Sequence, residues 1–268
     1  MPFSKKIIFL ISCTIIVGSC YGQNYFEEGG KAYDDKEYAN AINLFTISIA
    51  HKQEIARSYM DRGMAKVYSN DFFQGIKDLD SSRTLDTLNP NLYYNYGLSY
   101  LLYGFSGQAK KYFDKALQMK PDDPDIYDNL AVIAFKNDDF AEAIRLENIA
   151  VKLDSTDLDY YTNRGFAKAS LKQYKEAVKD YNKSMAIAPD AHTLANRADA
   201  YFQLGKYKEA ISDLNQALTD FPKSKDLIYE RGLAYQALGD KDAACADFEK
   251  SAGMGCVPAI TAQAKYCN

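Results

Sequence analysis

A period of 34 residues constrains this chain more than any other feature of its 268 residues. A small residue recurs at Ala41, Gly75, Ala109, Ala143, Ala177, Ala210 and Ala244, spaced by 34 four times, then 33, then 34. A second set keeps step with it: Gly29, Gly63, Gly97, Ala131, Gly165, Ala198 and Gly232. A bulky residue follows four places after the first set, at Phe45, Leu79, Phe113, Tyr181, Leu214 and Phe248. In the clearest copy, residues 160–189, Tyr174, Ala177, Tyr181, Ser184 and Met185 fall at helical and not strand spacing. That copy reads as two amphipathic helices joined by a polar turn at Lys172–Gln173 and closed by Pro189. Small residues stand where the two helices approach. A lone hairpin leaves its outer apolar faces wet, so it needs copies of itself on either side.

With Pro121, Pro189 and Pro222 closing three of the copies, the pattern resembles the tetratricopeptide repeat family. The resemblance covers residues 23–255 and implies an all-α, right-handed solenoid of seven helix-turn-helix repeats. Seven copies in phase imply one continuous solenoid, although the length would also accommodate two globular domains. Repeats one and two (residues 23–55 and 56–89) are the least regular. Gly75 replaces the usual alanine there, as expected of drift near a terminus. Residues 256–268 read as a capping helix with Pro258 in its first turn. The 47% of apolar residues, rich in Tyr and Phe, suffices for the contacts between repeats.

Residues 1–22 read as an export signal: Lys5 and Lys6, an apolar run over Ile7–Val17, then small residues. The run is too short to span a bilayer. Two processing routes remain open. Val17-Gly18-Ser19-Cys20 resembles a lipoprotein cleavage box that would leave Cys20 lipidated and the protein membrane-anchored. Cleavage after Gly22 would release a periplasmic or secreted protein, and the short tether before the first helix favours it. Formal net charge is −4, and −6 once Lys5 and Lys6 leave with the leader. With no basic stripe, that acidity argues against nucleic acid as a partner.

Two constellations recur across repeats. Arg62, Arg164, Arg197 and Arg231 each precede the first-helix small residue, and each has an aspartate sixteen residues later: Asp78, Asp180, Asp213 and Asp247. Where one changes, so does the other (Tyr96 with Tyr112, Leu130 with Leu146, Glu28 with Leu44). The spacing predicts structural ion pairs across each hairpin. The second is an asparagine ladder, Asn95, Asn129, Asn163 and Asn196, two residues before the small residue. The family resemblance places first helices along a concave groove. Side-chain amides there match a peptide group in donors and acceptors. Tyr94, Leu98, Val132, Phe135, Phe166 and Phe202 complete a predicted peptide-binding groove, with Leu101 flanking it. Relatives that clamp chaperone C-termini set lysine and arginine around such asparagines. Here Asp125, Asp128 and Asp159 stand instead, so that clamp is not carried over.

Cys256 and Cys267 sit about three turns apart on the capping helix, ~16 Å, beyond the reach of a bridge. A capping helix antiparallel to the one bearing Cys245 brings Cys267 close to Cys245. The expected disulfide is therefore Cys245–Cys267, with Cys256 free and buried. No Cys-x-x-Cys spacing supports a metal, and His51 and His192 lie in different repeats. Gly104-Phe105-Ser106-Gly107 has the wrong spacing, and no preceding strand, for a nucleophile elbow. The sequence therefore reads as a non-enzyme without cofactor, metal or small-molecule substrate. Its expected role is an envelope scaffold docking an extended protein or peptide segment. The competing reading is a structural subunit that braces an envelope complex through its convex face or ends.

Overall fold

The computed structural model describes residues 24–267; the predicted leader and Cys20 lie outside them. Every regular element among these residues is an α-helix. Residues 24–87 form one compact unit, with hairpins α1 (Tyr25–Asp34)/α2 (Tyr38–Ala50) and α3 (Ile55–Tyr68)/α4 (Phe72–Leu85). Residues 88–267 form a second unit of five hairpins. These are α5 (Pro90–Leu102)/α6 (Ser106–Met119), α7 (Pro124–Lys136)/α8 (Phe140–Leu153) and α9 (Leu158–Ser170)/α10 (Tyr174–Ile187). Then come α11 (Ala191–Gln203)/α12 (Tyr207–Asp220) and α13 (Lys225–Leu238)/α14 (Lys241–Gly253), with α15 (Val257–Tyr266) packed on α14.

Each hairpin turns the same way. After the first helix one residue adopts left-handed backbone: Lys36, Asn70, Gly104, Asp138, Lys172, Gly205 or Gly239. After α9 the Lys172 N–H reaches the Ala169 carbonyl and the Gln173 N–H the Lys168 carbonyl, both at 2.8 Å. This pair of bonds caps the orphan carbonyls and reverses the chain. The helices then close over the small residues. A Cβ on Gly165 would stand 2.7 Å from the Tyr181 ring, so the ring packs on bare backbone. Ala177, Tyr181 and the next hairpin's Ala200 share one cluster, which is how one repeat's core continues into the next.

Gly75 is no terminal drift. A Cβ there would meet Val67 Cγ2 at 2.5 Å and the Gly63 carbonyl oxygen at 2.7 Å, so α3 and α4 cross on two bare backbones.

Candidate functional site

The four arginines are all forked onto their aspartates. Arg164 Nε donates to Asp180 Oδ2 at 2.9 Å and Nη2 to Oδ1 at 2.7 Å. Arg62–Asp78, Arg197–Asp213 and Arg231–Asp247 repeat the geometry. The carboxylates are buried, and these bonds raise the arginine pKa values at 62, 197 and 231. The remaining Nη1 of each arginine donates to the preceding repeat's second helix, at Thr46, Asn148, Asn182 or Asn215. In repeats two and five Lys66 and Lys168 add a 2.6 Å bond to Asp78 and Asp180. The guanidiniums tie hairpin to hairpin. Sequence spacing does not single out the cross-repeat acceptor; its signal is a Thr or Asn fifteen or sixteen residues before each arginine.

Within the second unit, first helices are stitched edge to edge by bonds between residues 35 apart. Asn163 Nδ2 donates to Asp128 Oδ1 at 2.8 Å, Tyr160 Oη donates to Asp125, and Asn129 Nδ2 lies 3.4 Å from Tyr94 Oη. Asn129 also donates to the Asp125 carbonyl on its own helix at 2.7 Å. Two rungs of the amide ladder therefore spend protons on the protein itself, because a first-helix amide is within reach of its neighbour's polar groups. Asn95 and Asn196 are partly exposed. Leu101, expected beside the groove, turns inward and is buried; its carbonyl lies 3.5 Å from Lys136 Nζ.

The aromatic members gather instead. Phe135 and Phe166, with ring centroids 5.6 Å apart, line a depression of about 460 Å³ together with Asn163, Lys136 and Ser170. Phe166 is 47% exposed, which leaves its ring open to solvent at the depression. Phe202 lines a smaller hollow of about 130 Å³ with Asp199, Gln203, Glu230 and Leu233. Tyr94, Leu98 and Val132 are half-buried on the preceding first helices.

Behind Asp128 lies an acid that departs from the repeat pattern. Glu147 stands sixteen residues after Ala131, where the other repeats place Phe, Leu or Tyr, and it is fully buried. Neither carboxyl oxygen has a hydrogen-bond partner within bonding geometry. Burial, then the charge of Asp128, push Glu147 up to about 10, so it is neutral at physiological pH. Burial also raises Asp128, an effect its bond from Asn163 opposes. At the far end the sulfurs of Cys245 and Cys267 lie 2.03 Å apart with Cα atoms 5.6 Å apart, and Cys256 is buried. No cluster of metal-ligating side chains occurs among the described residues, and no described helix is long and apolar enough to cross a membrane.

Hairpins built on the same close crossing, with one repeat's core continuing into the next within each unit, define a helical-repeat protein-interaction scaffold. The chain belongs to the tetratricopeptide repeat family, whose models match residues 97–157, 157–223 and 195–255. No curated protein matches it. The crystal structure of the APC/C hetero-tetramer Cut9–Hcn1 superposes with TM-score 0.74 at 16% identity, covering 91% of this chain and 49% of that one. This chain thus spans about half the length of that relative. PilW, a type IV pilus biogenesis factor, gives 0.66 at 18%, over 74% and 92% of the two chains. YrrB, described as a TPR protein with an unusual peptide-binding site, gives 0.54 at 22%, over 69% and 95%. At these identities the likeness is one of fold.

Proposed function

We propose that this protein is an exported, non-catalytic scaffold that docks an extended protein segment on the first-helix surface of α7 and α9. The observation that carries this reading is the depression around Phe135, Asn163 and Phe166, where two rings flank a side-chain amide. Rings give a segment's side chains apolar seats, while the amide oxygen, not engaged by the bond to Asp128, can accept a backbone N–H. The ladder contributes less than its spacing implies, since Asn129 and Asn163 brace neighbouring helices. The predicted leader supports a location outside the cytoplasm by either processing route, soluble release or lipidation at Cys20. One observation favours end-on bracing instead: α15 exposes Val257 at 71% and Ile260 at 51%.

A photo-crosslinking residue at Phe166 tests the proposal, with another at the exposed Lys183 of α10 as reference. Docking yields one discrete protein adduct at 166 that disappears when Phe135→Ala is added, and none at 183. Adducts only from a crosslinker at Ile260 would replace docking with bracing.

A further inference from the structure

Five positions, three on a hairpin's first helix, one on its second and one on the second helix of the hairpin before, can be compared repeat by repeat. In repeats two and five they hold Arg, Lys and Asp, with a polar acceptor and a tyrosine: Arg164, Lys168, Asp180, Asn148 and Tyr161 in the latter. The guanidinium lies 5.4 Å from the Tyr161 ring centroid there, and Arg62 lies 5.2 Å from Tyr59. Repeat three fills the same space with three stacked rings: Tyr96 on Tyr112 at 4.6 Å and Tyr100 on Tyr112 at 5.4 Å.

Repeat four does neither. Arg, Lys and Asp become Leu130, Ala134 and Leu146, while the acceptor becomes Asp114 and the tyrosine remains as Tyr127. The shorter side chains leave a cleft of about 320 Å³ between α6, α7 and α8. Its floor is apolar. On its rim Asp114, Asp139 and Glu142 outnumber Lys110 and Arg145, leaving one negative charge in excess. The Lys110–Asp114 pair, 2.8 Å apart, is half exposed and so weakly held. Half of an arginine seat is present, an acceptor and a ring, and the arginine is missing.

We propose that this cleft receives an arginine side chain from a protein partner, its methylenes against Leu130 and Leu146 and its guanidinium between Asp114 and the face of Tyr127. The chain's own repeats show which side chain that acceptor and ring hold, and the excess negative charge selects a cation. The floor, lacking the buried carboxylate, suits the arginine stem. The cleft shares no residue with the depression around Phe166, so it offers a second contact independent of the groove.

The probe is Nα-acetyl-arginine N-methylamide, titrated into the mature protein with methyl NMR as readout, beside the acetyl-lysine and acetyl-phenylalanine amides. Expected are saturable shifts of the Leu130, Ile133 and Leu146 methyls at millimolar probe. Asp114→Asn, a change at the surface that leaves the core intact, weakens the response about five- to tenfold. The triple change Leu130→Arg, Ala134→Lys and Leu146→Asp rebuilds the repeat-five trio in place and abolishes it. Absence of saturable shifts would overturn the proposal. So would an equal response to the phenylalanine amide, or an arginine response untouched by Asp114→Asn.

Discussion

Glu147 lies buried in α8 at the place Tyr181 fills in α10, each sixteen residues after the small residue of the preceding helix. An acid in an aromatic's seat makes stability depend on pH. The folded chain keeps the Glu147 proton to about pH 10, whereas an unfolded carboxyl releases it near its ordinary value of 4.5. Between these limits the folded state binds more protons, so this group's contribution falls as pH rises. Glu147→Gln keeps the shape and removes the titration. It should stabilise by about 1–3 kcal/mol at pH 8 and give nearly no gain at pH 4, as read from urea midpoints. A gain constant across that range would mean the carboxyl does not titrate in this window.

Two glycines in the first unit behave oppositely on substitution. A methyl on Gly30, helical in α1, meets nothing within 4 Å, so Gly30→Ala should raise stability by about 0.5–1 kcal/mol through helix propensity. Gly75→Ala gains the same propensity but drives its methyl against the Gly63 carbonyl and the stiff Val67 side chain. Overpacking of this kind costs about 1–3 kcal/mol, and a net fall in melting temperature is expected. If both variants gain equally, α3 and α4 do not cross as closely as described.

At the C-terminal end Cys245 and Cys267 enclose a loop of sequence separation 22. Residues 23–268, oxidised, then denatured and treated with a thiol reagent, should take up one label, at Cys256. Three labels would show that the bond is absent. Closing a loop of this length constrains the unfolded chain by about 3 kcal/mol, so reductant should lower the melting temperature and loosen α15 first.

The periodic parts of this fold are legible in the sequence because each repeat imposes the same steric demand at the same register. Gly165 beneath Tyr181 and Arg164 on Asp180 follow from spacing alone. What is not legible depends on reach in three dimensions. The bond from Asn163 to Asp128 spans 35 residues and two helices, and nothing in the local pattern marks the amide as engaged. The left-handed turns at Lys36 and Lys172 carry no glycine signal. The break in the repeat at Leu146 and Glu147 is visible as a reversal of polarity, but only the structure shows that one leaves a cleft and the other a buried acid.

The Arg164–Asp180 pair is best tested by comparing a broken version with a replaced one. Arg164 and Lys168 both bond Asp180, whose side chain is 7% exposed. Asp180→Asn leaves two cations facing a neutral amide in a site mostly closed to water, a loss of about 3–5 kcal/mol. Replacing all three residues with the repeat-four set, Arg164→Leu, Lys168→Ala and Asp180→Leu, removes the cations together with the acid and should cost less than the single change. The order of the two urea midpoints is the measurement, because it separates pairing from mere occupancy of space. Were the triple variant the less stable, volume and not charge would be what these residues supply, and the unfilled cleft of repeat four would carry a stability penalty of its own.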